Sequence, residues 1–550
     1  MTPQEIYGRA IALHQDGRLA EAERLYAEVL AAAPGNFPAR HMLGVTLAQQ
    51  GRHAEALEAI GAALKIRPGA ADALVNYANV LSALGRHREA LARYGQALEI
   101  TPDDAEAWSN RGNALRRLGQ LDDALENFNR ALTLRPGHRD AHFGRGAVLQ
   151  ALGRDAEALA DYDRTLALDP GHVDALNDRA VLLWNLGRND EALAACNRVL
   201  ALAPALAPAW SNRGNVLRSL GRMDEALISF DHAIAADPAY AEAYQNKGFC
   251  LLAMGNFAEG WQLHEWRKKL PRPIEARRYP QLPWTGAEDI AGKTLFVYVE
   301  QGLGDTIQFF RFLAPVLTRR ARVVLSAQER LTRLLASGGL DIMFSGEPAD
   351  FDYYIPLMSL PLALGTTIET IPAAVPYLRA EPERVRHWAG RIGGGGFKVG
   401  LCWQGAPRAG MDFGRSIALA QFAGLAKIPG VRFISLQKNH GVEQLDGLPT
   451  GMTVERLEEF DDGPDAFIDT AAVMENLDLV ITVDTSLAHL AGALGRPVWL
   501  ALKSAPDWRW FLDRTDSPWY PTMRLFRQTA AGGWDGVLAA MARQLPQEMK

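Results

Sequence analysis

Two strand-to-helix turns carry the residues best suited to chemistry. The run LVITVDTSLAHLAGALGRPVWL reads as an apolar strand, an Asp484-Thr485-Ser486 turn, a helix capped by Thr485 or Ser486, and a further strand. A helix that opens this way aims unpaired N–H groups and a partial positive charge past the strand end, which suits a phosphate. His489, one turn in, can add a donor. An ordinary capped helix with a packed histidine would give the same pattern. Upstream, Glu300-Gln301-Gly302-Leu303-Gly304-Asp305-Thr306 brings glycines that let backbone approach a ligand closely, and a carboxylate, Asp305, at the head of a helix. That carboxylate is either a general base or a charge favoured by the helix dipole.

Three more segments follow strand-like runs: Trp403-Gln404-Gly405 through Arg415-Ser416, Gln437-Lys438-Asn439, and Lys503 through Trp510. Arg415 and Lys438 are candidate phosphate-facing cations, although a solvated surface lysine fits Lys438 equally well. Trp508, Trp510, Trp519 and Tyr520 could stack on a ring ligand or fill a core. Asp461-Asp462 sits in an apparent loop, and no metal is assigned to it.

These turns need a scaffold of parallel strands. From about residue 291, β-rich runs alternate with helical stretches: TLFVYVE, RVVLSAQ, DYYIPL, FKVGLCW, RFISLQK, LVITVDT and PVWLALK. Strand, helix, strand predicts parallel sheets, whose ligands collect beyond the C-terminal strand ends. RIGGGGFK divides this region into two α/β lobes, 291–390 and 397–550, with a cleft between them.

The N-terminal half repeats. Glycine recurs at 17, 51, 85, 119, 153, 187, 221 and 255, and proline at 34, 68, 102, 136, 170, 204 and 238, always 34 residues apart. Between them lie one-face patterns such as Ala90, Tyr94, Leu98, so each unit is a helical hairpin closed by glycine and stopped by proline. Stacked hairpins share a core and present a concave face. Nine residues before each glycine a polar row reads Asn76, Asn110, Asp178, Asn212 and Asn246, with Asn79, Asn113 and Asn215 three later; Met42 and Gly144 interrupt it. An amide both donates and accepts, so such a row can pair with an extended peptide backbone. A merely solvated face is the alternative.

Composition sets outer limits. With 48% hydrophobic and 22% charged residues and a net charge of −6, the 550-residue chain reads as several folded units and not as a nucleic-acid binder. Cys196, Cys250 and Cys402 form no CxxC pair, so neither a disulfide framework nor a zinc site is expected, and a reducing cytoplasm fits. No signal peptide or membrane span is expected.

Residues 3–274 resemble the tetratricopeptide (TPR) family: seven full repeats and a degenerate eighth, where Gly260 and Trp261 replace alanine and leucine and Lys268, Lys269, Pro271 and Pro273 follow. The amide row resembles the asparagine ladder of O-GlcNAc transferases, which implies peptide binding by Asn76, Asn110, Asn212 and Asn246. The two turns, in this order and one per lobe, resemble family 9 glycosyltransferases, the heptosyltransferases, over about residues 294–530. That resemblance implies a GT-B fold of two Rossmann-like lobes, with the second lobe binding the donor. It implies Asp305 as the catalytic base, and a donor site drawn from Gly302, Gly304, Gln404, Arg415, Lys438, Asp484, Thr485, Ser486, Leu487 and His489. Ser486 departs from the family's glycine. A nucleotide-sugar is the implied co-substrate, with no metal or other cofactor. The first lobe is shorter than in heptosyltransferases, so the architecture resembles TPR-linked protein glycosyltransferases, including flagellin-modifying ones, and implies transfer to a protein serine or threonine. A non-catalytic scaffold and a glycan-directed or lipopolysaccharide-directed transferase are the alternatives.

Overall fold

The computed structural model describes residues 1–270, 277, 279–346, 348, 350–406, 414–529 and 533–550; Pro271 and Pro273 lie outside these. Two compact units divide the chain, Met1–Leu182 and Leu183–Lys550, with the boundary inside the helix Val173–Asn185.

In the first unit, helices of 13 and 14 residues alternate, beginning with Pro3–Gln15 and Leu19–Ala32. The glycine between each pair adopts a left-handed conformation, as at Gly17 (φ 75°) and Gly119 (φ 76°), where a side chain would be strained. One second-helix position holds Tyr26, Ile60, Tyr94, Phe128 and Tyr162, each at most 1% exposed, so this face forms the core. The Phe128 ring also explains the gap in the polar row. A Cβ on Gly144 would come within 2.4 Å of it.

The second unit starts with the remaining hairpins, up to Ala241–Ala253 with Phe257–His264, and a single-turn helix Glu265–Lys269. Gly260 lets the last pair close tightly, since a Cβ there would meet Leu252 at 2.8 Å. Trp261 is buried and donates its indole N–H to the Thr366 carbonyl at 3.2 Å.

Two parallel sheets follow. The first contains β1 (Leu282–Pro283), β2 (Thr294–Tyr298), β3 (Arg322–Ser326), β4 (Ile342–Phe344) and β5 (Tyr353–Pro356) in the order β1-β5-β2-β3-β4. Its edge strand β1 thus precedes residue 291. The second contains β6 (Phe397–Cys402), β7 (Val431–Ser435), β8 (Val454–Glu455), β9 (Leu479–Val483), β10 (Val498–Leu502) and β11 (Met523–Arg527) in the order β11-β10-β9-β6-β7-β8. Chain direction across the sheet reverses between β2 and β5 and between β9 and β6, and crevices open at such points. One apolar core runs through both lobes and takes in Phe257 and Trp261 of the last hairpin with Trp508, Trp510, Trp519 and Tyr520. These four aromatics are at most 4% exposed, so they fill the core. No described helix is long and apolar enough to cross a membrane.

Candidate functional site

The reversal between β9 and β6 brings Asp484 beside Arg415. Arg415 donates to the Asp484 carbonyl at 3.3 Å. Its guanidinium lies over Gly405, where a Cβ would fall 2.3 Å from it, so a larger residue there would push the guanidinium aside.

Beyond these strand ends lies a cavity of about 750 Å³. Arg415, Asp484, Lys503 and Asp507 line it from the second lobe, and Trp184 and Arg218 from the helical repeats. Burial, and next the negative charge of Asp507, push the Asp484 carboxyl up to about 6, against the pull of Arg415 and Arg509. Burial, followed by the positive charge of Arg218, lowers the proton affinity of Lys503.

A guanidinium joins this cavity to the contact between the lobes. Arg509 donates to Asp507 at 2.9 Å, to Asp305 at 2.5 Å and to Gln308 at 2.6 Å. Asp305 is 24% exposed. Its other oxygen accepts the Gly302 N–H at 3.0 Å, a helix-capping bond. Burial raises the proton affinity of Asp305 while Arg509 opposes the shift. Asp305 therefore reaches the cavity wall through Arg509 and Asp507, and is not among the residues that line it.

The two glycine-bearing turns pack against each other. A Cβ on Gly304 would lie 3.2 Å from both Ser486 Cα and His489 Cδ2, so glycine permits the helices Leu303–Phe309 and Ser486–Ala493 to meet head to head. Thr485 makes no capping bond; its hydroxyl lies 3.3 Å from that of Thr482. His489 is 6% exposed, stacks on Trp510 at 5.3 Å and bonds Tyr520 through Nδ1 at 3.0 Å. Burial, with Arg509 and Arg311 nearby, holds its imidazole neutral. His489 is thus packed inside the lobe contact, while Thr485, Ser486 and Leu487 at the helix head stay partly exposed.

Two further candidates are bonded elsewhere. Lys438 donates to the carbonyls of Phe460 and Asp461 and to the Asp462 carboxylate at 2.9 Å, and is not among the residues that line the cavity. Gln404 accepts from the Gln444 amide at 2.9 Å and sits against Gly441. Of the expected donor residues, Arg415 and Asp484 line the cavity, while Gly304, Ser486 and His489 meet at the lobe contact. Trp184, Arg218, Lys503 and Asp507 were not among the expected site residues, although the segment containing Lys503 and Asp507 stood out for its place after a strand.

Amides of the repeat row make lateral bonds between neighbouring hairpins. Asn76 pairs with His41 at 3.0 Å, Asn110 donates to Asn79 at 3.2 Å and Asn246 donates to Ser211 at 3.5 Å. Asn212 is also engaged. Asp178 is half-buried, and burial raises its proton affinity.

Comparison with known proteins gives two kinds of match. Tetratricopeptide repeat models match residues 13–62, 47–113, 109–173, 143–207, 177–241 and 229–262. The model for glycosyltransferase family 9 (heptosyltransferase) matches residues 462–502, which contain Asp484 through His489. Protein FlbA of Caulobacter vibrioides is 29% identical over 315 residues, 52% of this chain and 52% of that protein, so the chain spans about half of the curated relative it matches. A tetratricopeptide repeat protein from Parabacteroides merdae is 21% identical, with 45% of this chain and 98% of that chain covered at a TM-score of 0.38. YrrB, described as a TPR protein with an unusual peptide-binding site, is 29% identical, with 34% of this chain and 96% of that chain covered at a TM-score of 0.30. The chain combines TPR repeats with a C-terminal α/β region of two parallel sheets, part of which matches family 9 glycosyltransferases.

Proposed function

We propose that this protein is a glycosyltransferase that moves a sugar from a nucleoside diphosphate donor to a serine or threonine hydroxyl of a protein held by the repeats. The observation that carries the reading is the cavity at the β9–β6 reversal, lined by Arg415 and Asp484, with Asp484 inside the family-matched segment. Donor phosphates would lie against Arg415 and Lys503. The acceptor oxygen attacks the anomeric carbon, and the bond from that carbon to the phosphate oxygen breaks. Its electron pair leaves with the nucleoside diphosphate, whose charge the cations offset. The hydroxyl proton goes to a carboxylate.

In this reading Asp305 is that carboxylate. It is partly exposed, and each of its oxygens makes one of the bonds described above and keeps a second lone pair. Purified protein incubated with radiolabelled UDP-, GDP-, ADP- and CMP-sugars and acceptor proteins should label protein. Asp305→Asn should slow labelling about 10²–10⁴-fold without weakening nucleotide binding. Labelling by Asp305→Asn at the native rate removes that role. No labelling and no nucleotide binding by the native chain removes the whole reading.

A nucleotide-binding scaffold is favoured by one observation. At the β2–β5 reversal of the first lobe, the buried Arg267 donates to Glu300 at 2.8 Å and to Ser359 at 2.7 Å, filling the point where a first-lobe ligand would enter. Nucleotide binding without sugar transfer to any acceptor would select that reading.

A further inference from the structure

Arg218 lies in the last turn of the helix Ala207–Ser219, three residues before Gly221. Trp184 holds the same place one repeat earlier, and both line the cavity of the α/β region. The Trp184 indole donates to the Ser219 hydroxyl at 2.8 Å, which steadies the turn that carries Arg218. At a helix C-terminus a cation is favoured by the dipole alone. Three facts here go further. The Arg218 side chain makes no ion pair or hydrogen bond among the described residues, although its carbonyl accepts the Gly221 N–H. Its charge acts on Lys503 across the cavity, and Arg415 adds a third cation. Of the two carboxylates that line the same space, Asp507 is already paired with Arg509.

Like charges that share a partly buried space repel one another, and a multivalent anion between them relieves that cost. We propose that Arg218 is a donor-positioning residue: the repeat region supplies one cation of the diphosphate site, facing Lys503 and Arg415 of the second lobe. The proposal rests on the glycosyltransferase reading, and it adds that the repeats help to bind the donor as well as the acceptor. A phosphate chain fits the arrangement because its several oxygens can meet more than one cation together.

The test compares the native full-length chain with Arg218→Gln, Arg218→Lys and, as a control for net charge, Arg222→Gln, whose side chain pairs on the surface with Glu225. Calorimetry measures binding of inorganic pyrophosphate, UDP, GDP and ADP, and of uridine, guanosine and adenosine. Arg218→Gln should weaken pyrophosphate and the preferred nucleoside diphosphate about tenfold or more. Arg218→Lys should recover much of that loss. The matching nucleoside should bind all variants alike, and the donor KM should rise while kcat stays near native. Thermal unfolding without ligand should be the same in every variant. The proposal is overturned if Arg218→Gln binds pyrophosphate and diphosphates like the native chain, or if Arg222→Gln weakens them equally. If the native chain binds no diphosphate at all, the glycosyltransferase reading falls together with it.

Discussion

Asp484 shows at one residue how the cavity works against the fold. Its carboxyl is pushed up to about 6, chiefly by burial, from an ordinary value of 3.8. The folded state therefore binds this proton more tightly than the unfolded chain. Stability is lost as pH rises from about 4 through 6, and the full penalty is present at neutral pH. Asp484→Asn, which resembles the protonated form, should raise the unfolding midpoint at pH 7.5, by the equivalent of at most about 3 kcal/mol, and change it little at pH 4. Melting curves at the two pH values measure this, and an equal shift at both would show that charge burial is not the cause. Asp484 was legible in the sequence because it follows an unbroken apolar run into a helix start. Arg218 was not. Equivalent places in other repeats hold Ser82, Arg116, Gln150 and Leu252, and a position that accepts all of these carries no pattern. For His489 the spacing left a donor and a packed histidine both open, since it cannot show that Trp510 covers the ring.

Among the elements, sheet position decides what could be read. The seven strands expected from apolar runs are the interior strands of both sheets together with none of their edges: β1, β4, β8 and β11 each lie at a border. Interior parallel strands are buried on both faces and read as continuous apolar stretches, such as LVITV. Edge strands are short or half-polar, as in MRLFR, and give no such signal. Arg267 escaped notice for a related reason, because its partners Glu300 and Ser359 lie on other elements far along the chain. Arg267 and Glu300 side chains are each 4% exposed, so removing Arg267 leaves the Glu300 carboxylate buried without its cation, while Glu265 keeps Lys268. Arg267→Met should destabilise the second unit by about 3–5 kcal/mol, whereas Arg267→Met combined with Glu300→Leu should restore most of that loss. Urea unfolding of both variants measures the coupling, and simple additivity would show that the pair is not a linked contact.

At the scale of the whole molecule, the division between repeats and α/β lobes seen in the sequence differs from the physical one. The compact boundary falls at Leu182–Leu183, and hairpins beyond it share a core and a cavity with the lobes. Removing residues 1–240 takes away Trp184 and Arg218, so on this view it abolishes diphosphate binding and with it transfer to proteins and glycans alike. Removing residues 1–170 keeps the helix Val173–Asn185 and every described residue lining the cavity. That shorter deletion discards Asn76 and Asn110 while retaining Asn212 and Asn246, and on the same view separates acceptor selection from donor binding. The 171–550 chain should bind diphosphate within about threefold of the full chain, a loss below 1 kcal/mol, and lose labelling of protein acceptors. Calorimetry and the radiolabel assay on both truncations decide it. Full protein labelling by 171–550 would remove the N-terminal repeats from acceptor choice, and diphosphate binding by 241–550 at native strength would show that the repeats form no part of the donor site.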